Sequence, residues 1–176
     1  GINMAYMLEQ ECPFPKDAIS YVSVGDGSVN NAHFLSAINL SSYARHRGMR
    51  CPTVFGISDN QICISLRNYD WLDKFSKQRL GGMPVYQCDG NDLSSVYNTS
   101  KEAFDDARKR KGPVSIIFTN LARRFGHAAT DRQVAYYSKN EIKENEEHCA
   151  LSLMVQDLVD NGVVTYFIFI LDSERA

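Results

Sequence analysis

Short apolar runs that alternate with helical patterns are the feature that most constrains the fold of this chain. The four runs are rich in β-branched and aromatic residues and span Ile19–Val24, Pro52–Ser58, Pro84–Asp89 and Val114–Leu121. Parallel strands need long crossover connections, and a helix between successive strands supplies them. The alternation therefore predicts an α/β fold, a doubly wound parallel sheet with helices on both faces.

Helical spacing of apolar residues supports the same fold. In three segments, apolar and small residues recur at a spacing that places them on one face of a helix. The three sets are Phe34, Ala37, Ile38, Ser41 and Ala44; Val96, Ser100, Ala103, Phe104 and Ala107; and Leu151, Met154, Val155 and Leu158. We expect Asn91 or Asp92 to cap the second of these helices. Ser138 and Glu141 form a predicted capping box before a further helix. The stretch Val163–Ala176 fits a strand or a short helix, and we expect a helix.

Composition limits the classes of function. The 176 residues are predicted to form a single domain, residues 1–176, and the abrupt ends are typical of a fragment of a longer chain. A net charge of −2 without a basic run gives no reason to expect nucleic acid. No apolar run approaches the roughly 18 residues that span a bilayer, so no membrane partner is expected. Five scattered cysteines favour a reducing compartment.

Polar residues follow the first two predicted strands. The sequence GDGSVNN (Gly25–Asn31) ends the first strand, and Asp59 and Asn60 end the second. Carboxyl ends of parallel strands share one edge of the sheet, where ligands bind. Carboxylate and amide oxygens suit magnesium, which is commonly held together with substrate phosphates. We therefore predict that Asp26 and Asn60 hold a metal that in turn holds a diphosphate.

A dinucleotide site is the competing interpretation of the two glycines. The pattern is G-x-G-x-x-N, with Asn30 where the third glycine of the dinucleotide fingerprint stands. A carboxylate at position 26 would also repel a bound pyrophosphate unless a cation lay between them. A nucleotide-binding oxidoreductase domain therefore remains an alternative that these residues disfavour.

Three stretches resemble a known family. Gly25-Asp26-Gly27 followed by Asn60 is similar to the thiamine diphosphate motif, which opens with Gly-Asp-Gly and closes with Asn. Residues 83–118 resemble the family's run from VDGND to GPxLIE. RRFGHAATDRQVAYYSKNEI, residues 123–142, resembles its loop RxxGHSxSDxxxxYRxxxEI. The chain is thus identified as a member of the alpha-type first components of 2-oxo acid dehydrogenase complexes, the pyruvate and branched-chain 2-oxoisovalerate dehydrogenase family. RRFGH is also similar to the 2-oxoglutarate enzymes, so the resemblance does not assign the acid.

This resemblance implies a thiamine diphosphate-binding fold and roles for particular residues. Magnesium would be held by Asp26, Asn60 and the main-chain carbonyl of Ile62. The diphosphate would lie against Gly25, Gly27 and Ser28, and His127 would lie near the cofactor and take part in acyl transfer to lipoamide. The implied partners are a beta-type pyrimidine-binding domain or subunit, the lipoyl domain of the acyltransferase component and a 2-oxo acid. The implied location is the cytoplasm or the mitochondrial matrix.

Several positions depart from the family pattern. Asn60 stands 34 positions after Asp26, more than is usual, and the surplus lies in the segment 45–52. Asp59 replaces the first of two motif asparagines. Ala128 stands where the animal enzymes carry a phosphorylatable serine, so that regulation cannot act at this position. Asp59, together with the parts of the site that the family supplies from outside these residues, leaves a catalytically degenerate assembly domain as a further alternative.

The segment Arg123–Ser138 has sixteen residues and no periodic apolar pattern, which is typical of a functional loop. Its small apolar content predicts that it is disordered until the cofactor binds. Arg123 and Arg124 either hold the loop or meet an acidic substrate group. Tyr136 and Tyr137, at the family's YR position, are expected to pack. His33, in the helix after the glycines, is expected at the surface or in packing.

Overall fold

The computed structural model describes residues 14–80 and 82–165. The strands are β1 (Ser20–Gly25), β2 (Thr53–Ser58), β3 (Ile62–Cys63), β4 (Leu66–Arg67), β5 (Val85–Asp89) and β6 (Val114–Thr119). The α-helices are α1 (Ala32–His46), α2 (Trp71–Arg79), α3 (Leu93–Arg110), α4 (Lys139–Glu147) and α5 (Ala150–Asp160). Short 3-10 helices span Asp26–Asn30 and Gln133–Ala135. None of the helices in these described residues is long and apolar enough to cross a membrane.

Four of the strands form one parallel sheet in the order β1-β2-β6-β5. All three neighbouring pairs run parallel, and the end of β1 lies beside the end of β2 through the pair Gly25 and Ser58. The remaining strands, β3 and β4, form a separate antiparallel hairpin. The prediction of an α/β fold with a parallel sheet is confirmed.

Helices cover both faces of this sheet, because successive residues of a strand point to opposite sides. One core cluster joins Phe55 and Ile57 of β2 to Phe34 of α1 and Phe75 of α2. The other joins Val54, which precedes Phe55 and points to the opposite side, to α3 through residues that include Ala103 and Ala107. The central strands β2 and β6 are buried on both sides, as their nearly continuous apolar sequences predict.

Helix caps follow the local sequence. The Asp92 carboxylate accepts the Ser95 N–H at 3.0 Å and caps α3, so Asp92 is the cap and not Asn91. Ser138 and Glu141 form the predicted capping box of α4. In α1 the stripe is only partly buried, because Ala37 is exposed.

The hairpin β3–β4, the helix α2 and the two short 3-10 helices were not predicted from the sequence. The hairpin β3–β4 has only two residues in each strand, which is too short for a visible alternation, and α2 is mostly polar. The strand β6 ends at Thr119 rather than at Leu121, since Asn120 turns the backbone with φ of 58°. Residues 163–165 lie in neither helix nor strand, and the rest of the predicted C-terminal helix falls outside the described residues.

Candidate functional site

A cleft of about 870 Å³ lies at the carboxyl ends of β1 and β2. Its walls come from the 3-10 helix after β1, the first turns of α1, the hairpin β3–β4 and the segment 123–127. All the residues that the sequence and the resemblance nominated line this cleft: Gly25, Asp26, Gly27, Ser28, Asn60, Ile62 and His127. The fold therefore brings together residues separated by about 100 positions in the sequence.

Asp26 is the buried acid of this cleft, with 4% of its surface exposed. One carboxylate oxygen accepts the Gly27 N–H at 2.9 Å, and the other accepts the side-chain amide of Asn68 at 3.4 Å. Burial raises the pKa of Asp26, and the nearby Asp59 carboxylate raises it further. Among the described residues, no basic side chain forms an ion pair with it. A buried carboxylate that has no basic partner and lies near a second carboxylate suits a cation.

The turn after β2 orients two further oxygen atoms. Asn60 Oδ1 accepts the Ile62 N–H at 3.1 Å, and Asp59 Oδ1 accepts the Gln61 N–H at 2.9 Å. An amide oxygen has a second lone pair, so the Asn60 side chain is held in place and still has acceptor capacity. Asp26, Asn60 and the main chain of Ile62 thus offer the hard oxygen donors that magnesium prefers. These donors fit the implied metal.

Gly27 is required by the hairpin. A Cβ added at Gly27 would lie 2.2 Å from Cys63 Sγ and 2.8 Å from Cys63 Cβ, distances that real contacts do not show. A Cβ added at Gly25 would meet no atom within 4 Å, and its backbone is extended. In the described structure, therefore, the second glycine of the motif is needed because the hairpin packs directly on the turn.

The segment Arg123–Ser138, which we call the His127 loop, is held by a network around Asp131. One Asp131 oxygen accepts hydrogen bonds from Arg123 Nη2 at 2.6 Å, Tyr136 Oη at 2.7 Å and the His127 N–H at 2.6 Å. The Arg123 guanidinium also donates to Tyr136 Oη at 2.9 Å and to the Ile64 carbonyl of the hairpin. The loop is thereby tied both to itself and to the opposite wall of the cleft.

Two residues of this network, Asp131 and Tyr136, have pKa values shifted from their ordinary values. The hydrogen bond from Tyr136, followed by the His127 N–H and the charge of Arg123, lowers the pKa of Asp131. Burial and the bond to Asp131 raise the pKa of Tyr136 to about 12. Both shifts favour the charge states that hold the network together at neutral pH.

The expectation of a disordered loop rested on its small apolar content, and it overlooked these polar contacts. Arg123 answers the question left open by the sequence, because its guanidinium holds the loop; its side chain is only 10% exposed. Arg124 is exposed and stacks its guanidinium on Phe125, with 5.4 Å from Cζ to the ring centroid. The effect of cofactor on exchange in the loop stays a prediction.

His127 is exposed and lines the cleft, while its main chain is anchored by Asp131. A Cβ added at Gly126 would lie 2.9 Å from Asp131 Cβ and 3.0 Å from a carboxylate oxygen. Only glycine at position 126 therefore lets the loop close on Asp131. The backbone that carries the His127 ring is therefore held by Asp131 at His127 itself and at the preceding Gly126.

Sequence reasoning missed some residues of the cleft. His33, in the first turn of α1, is exposed, as expected, and it also lines the cleft, which the sequence analysis did not predict. Its place directly after the glycine turn was the signal that could have identified it. Cys63 and Ile64 line the cleft from the hairpin, which was not predicted. Asp59 lines a second cleft, which shares Asn60 with the first, and its carboxylate accepts the Gln61 N–H in the turn after β2.

Comparison with known proteins gives a consistent result. The family model described as "Dehydrogenase E1 component" matches residues 4–167. The chain is 30% identical over 169 residues to the 2-oxoisovalerate dehydrogenase subunit alpha of Bacillus subtilis, covering 94% of this chain and 48% of that protein. It is 30% identical over 165 residues to the pyruvate dehydrogenase E1 component subunit alpha of Mycoplasma pneumoniae, covering 92% and 44%.

The subunit of the same name from Rickettsia conorii is 27% identical over 150 residues, covering 84% of this chain and 44% of that protein. The chain therefore spans less than half the length of the curated relatives it matches.

Proposed function

The chain belongs to the dehydrogenase E1 component family, and we propose that it forms the diphosphate side of a thiamine diphosphate and magnesium site in a 2-oxo acid dehydrogenase. The observation that carries this proposal is Asp26, a buried carboxylate at a strand end with no cationic partner among the described residues. It lies in the same cleft as Asn60, Ile62 and His127. The family match supports this proposal over the nucleotide-binding alternative.

Three oxygen donors would hold the magnesium ion. Asp26 supplies the charge, Asn60 supplies an amide oxygen oriented by its bond to Ile62 N–H, and Ile62 supplies its main-chain carbonyl. Magnesium usually keeps further ligands from substrate phosphates, which leaves room for the diphosphate.

The diphosphate would lie against the 3-10 helix that begins at Asp26. Gly25 has open space on its Cβ side, so the backbone there is accessible to a bound group. Gly27 and Ser28 lie in the first turn of this helix and line the cleft, where the main chain favours an anion. The Gly27 N–H itself donates to Asp26, so Gly27 would contribute close approach of the backbone rather than a free donor. The Asp26 charge would be neutralised by the metal between it and the phosphates.

When bound, the cofactor supplies the carbanion stabilisation that decarboxylation of a 2-oxo acid requires. The chain's own contribution to the reaction is His127, placed at the cleft on an anchored loop. An imidazole in this position is suited to donate a hydrogen bond or a proton during acyl transfer to the lipoyl group. A beta-type pyrimidine-binding domain or subunit would form the other side of the site, and the lipoyl domain of the acyltransferase component would receive the acyl group.

Calorimetric titration of the assembled enzyme tests this function. Thiamine diphosphate should bind in the presence of magnesium and lose its affinity when the metal is chelated. Asp26→Asn and Asn60→Ala should each abolish the magnesium-dependent binding. Asp73→Asn is the matched control, because Asp73 is an exposed acid paired with Lys77 on α2. Equal affinity in wild type and in both site variants, or binding of NAD in place of thiamine diphosphate, would refute the proposal.

A further inference from the structure

Two parts of the candidate site face each other across the cleft, and two arginines join them. One part is the hairpin β3–β4, which carries Ile62, and the other is the His127 loop. Arg123 reaches from the start of the loop to the Ile64 carbonyl. Arg67, the last residue of the hairpin, reaches to the opposite end of the loop. The loop is therefore attached to the hairpin near both of its ends.

Arg67 makes three kinds of contact where the loop becomes α4. Its Nη2 donates to Glu141 Oε1 at 2.6 Å and to the Tyr136 carbonyl at 3.3 Å. Its Cζ lies 4.8 Å from the centroid of the Tyr137 ring, a cation–π distance. Glu141 in turn accepts the Ser138 N–H at 2.8 Å as part of the capping box. One guanidinium thus contacts the loop end, the helix cap and an aromatic ring.

The hairpin depends on support of this kind. Each of its strands has two residues, and Ile64 between them has φ of 57°, a conformation that β-branched residues rarely adopt. Isolated hairpins of this size are unstable in water. Contacts from Arg67 and Arg123 therefore help to hold the hairpin, and with it the main chain of Ile62, in place.

The residues at the end of the loop are consistent with a contact from the hairpin. The family pattern ends its loop with Tyr-Arg, and this chain has Tyr136-Tyr137. In this chain the guanidinium at the loop end is that of Arg67, which lies over the ring of Tyr137. Because the arginine belongs to the hairpin, its contacts join two elements rather than remaining within one.

We propose that Arg67 is a positioning residue that couples the metal-binding hairpin to the His127 loop. The proposal rests on the function proposed above. Binding at Asn60 and Ile62 steadies the hairpin, and through Arg67 the same binding steadies the loop that carries His127. Without the guanidinium, the two walls of the cleft respond to ligand separately.

Amide hydrogen exchange on the assembled enzyme, with and without thiamine diphosphate and magnesium, measures this coupling. In the wild type, the cofactor should slow exchange in peptides of both the hairpin and the His127 loop. In Arg67→Gln, it should still slow exchange in the hairpin, but the added protection of the loop should be lost. Cofactor affinity should fall about fivefold, the low end of coupling between linked sites. Arg67→Lys, which keeps the charge but not the planar contacts, should show an intermediate loss.

The matched control is Lys77→Gln, which breaks the exposed Lys77–Asp73 ion pair of 2.7 Å on α2 and should leave both readouts unchanged. The readout is the difference in loop exchange between the cofactor-bound and cofactor-free enzyme. General destabilisation would speed exchange in both states, so it would not produce a selective loss of this difference in the loop. If Arg67→Gln retains full loop protection on binding, the coupling role is wrong while the proposed function stands. If the wild type does not bind the cofactor, the proposed function fails. Loop exchange in ligand-free Arg67→Gln equal to that of the wild type would then refute the role of Arg67 as well.

Discussion

Substitution of Gly27 by alanine tests the claim that the hairpin sets the shape of the cleft. The new Cβ would lie 2.2 Å from Cys63 Sγ and 2.8 Å from Cys63 Cβ. Rotation of the thiol relieves the first contact. The second involves an atom bonded to the backbone, so reaching an ordinary contact of 3.4 Å requires the turn and the hairpin to separate by 0.6 Å.

Overpacking of this kind destabilises by about 1–3 kcal/mol. Magnesium demands near-ideal distances to its ligands, so the same shift between Asp26 and Ile62 should lower cofactor affinity by about tenfold or more. We expect Gly27→Ala to lower the thermal midpoint of the full enzyme and to speed amide exchange in the hairpin. Gly25→Ala is the control. Its Cβ enters open space in an extended backbone, so stability should be unchanged or rise by about 0.4–1 kcal/mol.

Second-site variants at position 63 identify the cause of the effect. Cys63→Ala removes only the sulfur and should recover part of the loss in Gly27→Ala. Cys63→Gly removes both clashing atoms and should recover more of it. If Gly27→Ala is no more destabilising than Gly25→Ala, or if neither change at position 63 restores stability, contact with the hairpin is not what requires glycine.

Three further predictions concern Gly56, Asp131 and the activity of residues 1–176 alone. Gly56→Ala would place a Cβ 2.1 Å from the Tyr21 hydroxyl, so thermal unfolding should show a loss of about 1 kcal/mol that Tyr21→Ala relieves. The pKa of Asp131 is lowered, so its stabilisation is complete above the unfolded value of about 3.9 and is lost as pH falls through the folded pKa. Exchange in the His127 loop should therefore accelerate below about pH 4 in the wild type, and Asp131→Asn should show fast exchange at every pH. Residues 1–176 without a partner should not decarboxylate 2-oxo acids, since one side of the site is missing, and turnover by that preparation would contradict this.

The sheet could be predicted because its strands are long, apolar and separated by periodic helices. Such patterns depend on local sequence alone, and the observed strands agree with the predicted ones to within two residues at each end. For the same reason, the sequence could place Asp26 and Asn60 at the carboxyl edge of the sheet. Strand ends at Gly25 and Ser58 are adjacent in any parallel sheet of this order.

The hairpin could not be predicted, because its stability comes from contacts distant in sequence. Ile64 has a backbone conformation that local propensity disfavours, and Arg67 and Arg123 hold the hairpin through partners 59 to 74 positions away. The contacts within the loop were missed for a similar reason. Asp131 gathers three donors that no periodic pattern reveals.

The same packing explains why an aspartate stands between two glycines. The hairpin presses on Gly27 through Cys63, and the segment that follows it contributes Asn68, whose amide contacts Asp26. This close approach excludes side chains at position 27 and also removes water from Asp26, which is only 4% exposed. The requirement for glycine and the raised pKa of the carboxylate therefore have one physical cause. A buried negative charge formed in this way is destabilising until a cation neutralises it, so the hairpin that makes the site tight also makes it selective for a ligand that brings positive charge.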